Sequence, residues 1–244
     1  MVVKYKLLEK KYKSVSLKFL ERMNKKYKIV CMLVTGSYYT KKLTKKSDLD
    51  LFLVTDRASN LREKGVNIIH GIKISYFLNP YWKIIKLLDS EKNKFKRPTA
   101  EFVYFSNCLT GEKEAKILKE MAKETINSLT PKIDAEEILY LGWKLYDKVE
   151  VFKRKNYNLF NKEYLKFNLF DISIDTFFLI KRSYKPHAKY TLERIKILDD
   201  LFYKKIEKFL NNKSNYNLIS MVNHILKLLN FSQKDYSKRI KAVN

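Results

Sequence analysis

The sequence predicts an α/β (α+β) unit built on a mixed sheet, followed by an all-helical bundle. Two observations carry this. Up to about residue 130, short apolar runs bounded by Gly, Pro and Asn alternate with stretches of helical period. From Asp134 onward no run of comparable strand character recurs, and Ile138, Gly142, Leu145, Val149 and Phe152 repeat at spacings of four and three, one face of a helix. The chain is therefore divided into residues 1–130 and 131–244. "SLTPKID" (Ser128 to Asp134) marks the boundary, with Asp134 as N-cap ahead of Glu136 and Glu137.

The elements follow in order. From about Leu7 to Asn24, Leu7, Val15, Phe19, Leu20 and Met23 fall at roughly helical spacing, an amphipathic opening helix. "KIVCMLV" (Lys28 to Val34) is a short buried strand that ends at Gly36, and "YYTKKL" after Ser37 can open a helix. "DLDLFLV" (Asp48 to Val54) is the next strand, and "GVNIIHGIKISYFLN" a hairpin turning near His70 and Gly71. "PYWKIIKLLDS" resumes helix after Pro80, a good first-turn residue. "AEFVYFSNCL" reads as a further strand and "TGEKEAKILKEMAKETI" as a further helix. In the bundle, helices are expected from about Tyr164 to Arg182, Tyr190 to Leu210 and Leu218 to Phe231, with a loosely ordered end "SQKDYSKRIKAVN". Asp171 and Asp175, four apart in the apolar "FNLFDISIDTFFLI", need partners, expected to be a Lys or Tyr of the bundle.

Composition narrows the function. A 244-residue chain with 45% hydrophobic and 14% aromatic residues buries a real core. A formal charge of +25 favours polyanionic partners and argues against a cationic substrate, although scattered lysines also serve simply to solvate a surface. Cys31 and Cys108 lie far apart, which offers neither a disulfide framework nor metal-type spacing and fits a reducing, cytoplasmic compartment. His70, His187 and His224 are isolated, which removes a zinc site built from histidines. No apolar stretch is long enough to span a bilayer, and lysines interrupt any signal-like core in "MVVKYKLLEKKYK", so no membrane partner is expected.

The chemistry concentrates in "TGSYYTKKLTKKSDLDLFLVT" (Thr35 to Thr55). Gly36 and Ser37 follow a buried strand and precede a segment able to open a helix. Such an N-terminus presents backbone N–H groups and a positive dipole end to a phosphate. Asp48 and Asp50 then stand one residue apart at the start of a strand, so both carboxylates point to one face and repel unless a cation lies between them. A divalent metal that also bridges phosphate oxygens meets that need. Together they make a site for a nucleoside triphosphate.

At these residues the chain resembles the DNA polymerase β-like nucleotidyltransferase superfamily, whose signature is a hydrophobic strand, Gly-Ser, a spacer of about this length, then Asp-hydrophobic-Asp and a second apolar strand. Here these are "VTGS" and "SDLDLF", with Ser47 matching a common form of the motif. An α/β core followed by a helical bundle also looks like the layout of small antibiotic-type nucleotidyltransferases. The resemblance implies transfer of a nucleoside monophosphate from an NTP such as ATP to a hydroxyl acceptor, with Mg2+ and release of pyrophosphate. Asp48 and Asp50 would be catalytic and hold the metal, and Gly36 and Ser37 would bind the nucleotide. "SYKPHAKYTLERIKIL" resembles a recurring element of such bundles, making Lys189 a candidate for a phosphate contact beside its plainer reading as a solvated helix-start lysine.

Two departures matter. The spacer carries Thr40, Lys41, Lys42, Lys45 and Lys46 where the superfamily often has Arg and Gly. The third carboxylate that the superfamily usually places on a later strand is matched here by Ser75. Glu101 at the start of the next expected strand, or Asp147 or Glu150 on the first bundle helix, are candidates for the missing carboxylate or base. The acceptor is expected to be an RNA end, tRNA-like, or a non-cationic small molecule. The alternative is a catalytically impaired module of the same fold that binds nucleic acid or a protein partner.

Overall fold

In a computed structural model, which describes residues 2–154 and 158–236, the chain forms two compact units: Met1–Lys92 with Arg97–Ser128, and Asn93–Lys96 with Leu129–Asn244. The first unit holds a five-stranded mixed sheet and the second is helical, the fold class expected from the sequence.

The first unit opens with α1 (Val2–Asn24), whose Tyr12, Val15, Phe19 and Met23 recur at three and four residues and are all buried. They cover one face of the sheet, meeting Met32 and Val34 of β1 (Ile29–Thr35) and Leu49, Leu51 and Leu53 of β2 (Leu49–Thr55). β3 (Glu63–Ile69) and β4 (Ile72–Pro80) form the expected hairpin, with His70 at φ 49° and Gly71 at φ 74°, the two left-handed residues of a tight turn. The strand order is β3-β4-β2-β1-β5, with β2 and β4 parallel and the other pairs antiparallel.

Two local expectations change in this unit. Pro80 ends β4 and is the N-cap of α2 (Tyr81–Glu91), not a first-turn residue. "AEFVYFSNCL" begins as helix: α3 (Pro98–Tyr104) takes its first five residues, and the strand β5 is confined to Asn107–Thr110. The aromatic run has strand character, but Pro98 favours a helix start and the Glu91 carboxylate accepts the N–H groups of Thr99 (3.1 Å) and Ala100 (2.9 Å). Buried Arg97 donates to the carbonyls of Thr125, Ser128 (2.8 Å) and Lys92 (2.7 Å), tying that start to the end of α4 (Glu112–Asn127). The ring of Phe102 on α3 then packs 5.2 Å from Phe52 and 5.8 Å from Phe77, covering part of the sheet's second face.

The second unit packs α5 (Ala135–Lys153), α6 (Leu159–Ile180), α7 (Ala188–Leu198), α8 (Asp200–Asn212), α9 (Asn215–Leu228) and the short α10 (Gln233–Tyr236). Asp134 caps α5 as expected, accepting from Glu137 N–H at 2.7 Å. The ring of Phe231 lies against Gly142, where a Cβ would meet it at 2.3 Å. Asp175 finds its partner in Lys185 at 2.5 Å, whereas Asp171 is exposed. The expected loosely ordered end falls partly on α10 and otherwise on residues 237–244, outside the described residues.

One expected helix, about Tyr190 to Leu210, is instead α7 and α8, broken at Asp199 (φ −164°, ψ 94°). Asp199 leaves the helix because its carboxylate has three partners there. It accepts from Phe202 N–H (2.9 Å), pairs with Lys181 (3.2 Å) and meets His224 Nε2 (3.2 Å). Burial works to raise the Asp199 carboxyl, but the Phe202 N–H, His224 and Lys181 outweigh it and hold it below its ordinary 3.8. A carboxyl lowered by folding adds stability above that ordinary value and loses it as pH falls through the folded-state value. Acid should therefore loosen this unit below about pH 4. Asp199→Ala should cost about 2 kcal/mol at pH 7. It should also flatten the acid limb of a urea-midpoint titration, and an unchanged acid limb would exclude Asp199 as its source.

Candidate functional site

The site is built where β1 runs out. Thr35, its last residue, pairs in register with Asp50 on β2, and Asp50 pairs on its other side with Ser75 on β4. Side chains on paired residues share a face, so Thr35, Asp50 and Ser75 form one row across the sheet. The Thr35 hydroxyl donates to Phe105 C=O at 2.5 Å.

Gly36 turns the chain beyond that row with φ +70°, a left-handed conformation that a side chain resists. A Cβ on Gly36 would also stand 2.6 Å from Asp50 Oδ2, so the carboxylate occupies the space the missing side chain leaves. Thr40 N–H (3.1 Å) and its hydroxyl (3.2 Å) both donate to Gly36 C=O, and Lys42 N–H donates to Ser37 C=O (2.9 Å). This is a single helix-like turn, where the sequence reading expected "YYTKKL" to open a helix. Lys41 at φ 57° ends it. The phosphate argument survives in reduced form, because the N–H groups at the start of such a turn still lie together at one end.

The spacer is anchored from beneath. Tyr38 and Leu43 are buried among the side chains that α1 covers. Tyr12 of α1, 1% exposed, donates its hydroxyl to the carbonyls of Thr44 (3.0 Å) and Ser47 (2.6 Å). Ser47 closes the turn that precedes Asp48: its Oγ accepts Thr44 N–H at 2.9 Å, and its own N–H donates to Thr44 C=O at 3.2 Å. Burial, and then the nearby charge of Asp48, raise the Tyr12 hydroxyl above its ordinary 10.0. Tyr12 was not singled out in the sequence, where it reads as one more aromatic residue on a helix. Its buried position in the i, i+3, i+7 stripe with Val15 and Phe19 is the only signal that could have found it.

Asp48 is exposed and lies one residue before β2 begins, not within the strand as expected, while Asp50 on β2 is half-buried. Ser75, half-exposed, stands in register beside Asp50, at the place where the sequence reading looked for a third carboxylate. Glu101 is not at a strand start but in the first turn of α3, one residue before the Phe102 ring that packs on Phe52. Asp147, Glu150 and Lys189 belong to the second unit. There, Asp147 accepts from the Tyr236 hydroxyl (3.0 Å), Glu150 pairs with Lys153 (2.7 Å), and Lys189 is exposed with its Nζ 4.9 Å from the Tyr190 ring centroid.

Among the described residues no group of three His, Cys, Asp or Glu is placed to hold a metal. The oxygen pair Asp48 and Asp50 nevertheless suits Mg2+, which takes one or two protein carboxylates and completes its shell with phosphate oxygens and water. The close fit of Asp50 against Gly36 supports this, since a phosphate bound at the turn would lie beside the carboxylate pair.

The glycine turn set against Asp50 on the neighbouring strand of a mixed sheet is the arrangement the resemblance implies. The family described as "Nucleotidyltransferase domain" matches residues 17–228, and the chain belongs to it, within the DNA polymerase β-like nucleotidyltransferase superfamily. Among solved structures it is similar to a nucleotidyltransferase-like protein from Exiguobacterium sibiricum 255-15, at 12% identity and a TM-score of 0.44, over 90% of this chain and 74% of that one. No curated protein matches the chain.

Two substitutions test the geometry. Gly36→Ala should cost about 1–2 kcal/mol for the left-handed residue and displace the Asp50 carboxylate, so thermal stability and nucleotide affinity should fall together. Tyr12→Phe should lower stability by about 1–2 kcal/mol by leaving two carbonyls short of a donor. If the Tyr12 contact also steadies the run into Asp48, nucleotide affinity should drop with it, and a loss of stability alone would confine Tyr12 to the core.

Proposed function

We propose that the chain transfers a nucleoside monophosphate from an NTP to a hydroxyl acceptor, and that residues 1–130 form the catalytic domain and 131–244 the helical bundle domain. The single observation that carries this reading is the contact between the Gly36 turn and Asp50, which would set a phosphate-binding backbone directly against the carboxylate pair. Gly36 and Ser37 would hold the terminal phosphates through backbone N–H groups and the Ser37 hydroxyl. Asp48 and Asp50 would hold Mg2+, whose contribution when bound is to neutralise negative charge on the phosphate oxygens. The β1–β2 pairing fixes the backbone of both groups before the nucleotide arrives, so little reorganisation is left to the reaction. The acceptor hydroxyl would approach along the open side of the row that contains Ser75.

The proton on that hydroxyl needs an acceptor, and Glu101 is the proposed candidate. Its neighbour Phe102 packs on Phe52, two residues along the same face of β2 from Asp50. Free thiols at Cys31 and Cys108 fit a cytoplasmic setting.

The test is transfer of label from α-labelled NTPs in the presence of Mg2+. Asp50→Asn and Asp48→Asn should each lower transfer by about a hundredfold or more while the melting temperature stays near that of the parent. Retained transfer in both variants would rule out the carboxylate pair. An unaltered biological effect of Asp50→Asn would instead favour a binding module of the same fold.

A further inference from the structure

The row that holds Asp50 does not end at Ser75. It continues onto the edge strand β3, where Val66 pairs in register with Ser75. One row nearer Asp48, Lys73 on β4 pairs with Ile68 on β3, and one row further along, Phe77 pairs with Lys64. By strand alternation Lys64, Val66 and Ile68 face the same side as Asp50. On that side Phe77 is covered by Phe102. Val66 is 61% exposed and Ile68 69% exposed, side by side on one face of an edge strand. Lys73 and Lys64 are exposed beside them, with Lys64 Nζ 5.1 Å from the Phe77 ring centroid.

The edge strand is held firmly. Glu63 at its start accepts hydroxyls from Tyr27 (2.6 Å) and Tyr76, whose ring lies across Gly65 on the opposite face. Those two bonds keep the Glu63 carboxyl below its ordinary 4.5. Two β-branched residues thus stand fixed and open to solvent on the order of 10 Å, two strand spacings, from the carboxylate pair. Lys64 and Lys73 are the cations beside them on the hairpin, and Lys41, Lys42, Lys45 and Lys46 are exposed on the spacer that leads into β2.

We propose that this face is the acceptor platform and that its occupant is the end of a single-stranded RNA, a reading that rests on nucleotidyl transfer at Asp48 and Asp50. Charge complementarity selects the occupant. A polyanion gains from the flanking lysines by releasing counterions, which a neutral or cationic acceptor cannot do. The apolar pair favours a single strand, because an unpaired terminal nucleotide is free to turn its base onto Val66 and Ile68. The Ser75 hydroxyl, between the apolar pair and Asp50, offers a hydrogen bond to the terminal ribose where a carboxylate would repel the strand. The terminal hydroxyl of such a strand is then directed along the row toward Asp50.

Anisotropy of a labelled 12-nucleotide single-stranded RNA, titrated with the full chain over a series of salt concentrations, reads this directly. Lys64→Gln with Lys73→Gln should weaken binding about tenfold at low salt and make the salt slope shallower by roughly 1.4, two phosphate contacts at 0.7 each. Val66→Ser with Ile68→Ser should weaken binding with the slope unchanged. The equal-charge control Lys10→Gln with Lys208→Gln, on the exposed faces of α1 and α8, should lose far less. Equal losses in the control and the Lys64/Lys73 variant would overturn the platform, as would parent-like binding by the Val66/Ile68 variant. Binding needs no chemistry, so the two readings fail separately. Parent protein that binds RNA on this face but transfers nothing overturns nucleotidyl transfer alone. Salt-indifferent labelling of a neutral acceptor with no RNA binding overturns the platform alone.

Discussion

The candidate site depends on the approach of Asp50 to the α-carbon of Gly36 across the β1–β2 pair. Because Thr35 is in register with Asp50, the residue that follows Thr35 must turn immediately over that carboxylate. A side chain there would meet Asp50 Oδ2 at 2.6 Å, and the φ of +70° disfavours one independently. Glycine is therefore required twice at one position. The Gly-Ser turn and the Asp-x-Asp pair, separated in the chain by the spacer, are one piece of geometry in the sheet. The packing beneath serves it: α1 covers the apolar face of β2, and Tyr12 reaches through to the carbonyls of Thr44 and Ser47, just ahead of Asp48.

Strands were legible because their burial is written in the chain itself. "KIVCMLV" and "DLDLFLV" are apolar runs with defined ends, and His70-Gly71 is a two-residue turn between alternating strands. The elements that differed are those whose ends are set from a distance. α3 begins where the Glu91 carboxylate accepts its first N–H groups. The break between α7 and α8 exists because Lys181 and His224, 18 residues before and 25 after, gather around Asp199. The turn after Ser37 stops after one cycle because Tyr38 and Leu43 are both drawn into the core that α1 covers. Local periodicity contains none of these partners.

The site shows the same division. Gly36, Ser37, Asp48 and Asp50 are visible as residue types at a spacing, and the sheet brings the turn and Asp50 together. Ser75 was placed by strand order alone, and the parallel register of β2 with β4 sets it beside Asp50. Glu101 was assigned to a strand that is a helix, and its relation to the site now runs through Phe102. Spacing marks Tyr12 as a core-facing residue of its helix, but its hydrogen bonds come from a segment more than thirty residues away that spacing does not reveal.

Ser75 also bears on the electrostatics of the row. A carboxylate in its place would stand one strand spacing from Asp50, and two such charges about 5 Å apart repel by roughly 1–3 kcal/mol at effective dielectrics between water and a protein surface. That cost is tolerable only where a cation is shared among all three groups. With serine, Asp50 is the one acidic charge of its row, with Asp48 outside it, and the field falls away toward Val66 and Ile68, beside Lys64 and Lys73. Such a gradient runs in the direction a polyanion requires: it is drawn in by the lysines and meets no further negative charge until its end reaches the carboxylate pair. Under the proposed RNA acceptor, Ser75 and the surplus of lysine act together, because repulsion of the strand is removed from the floor it would cross.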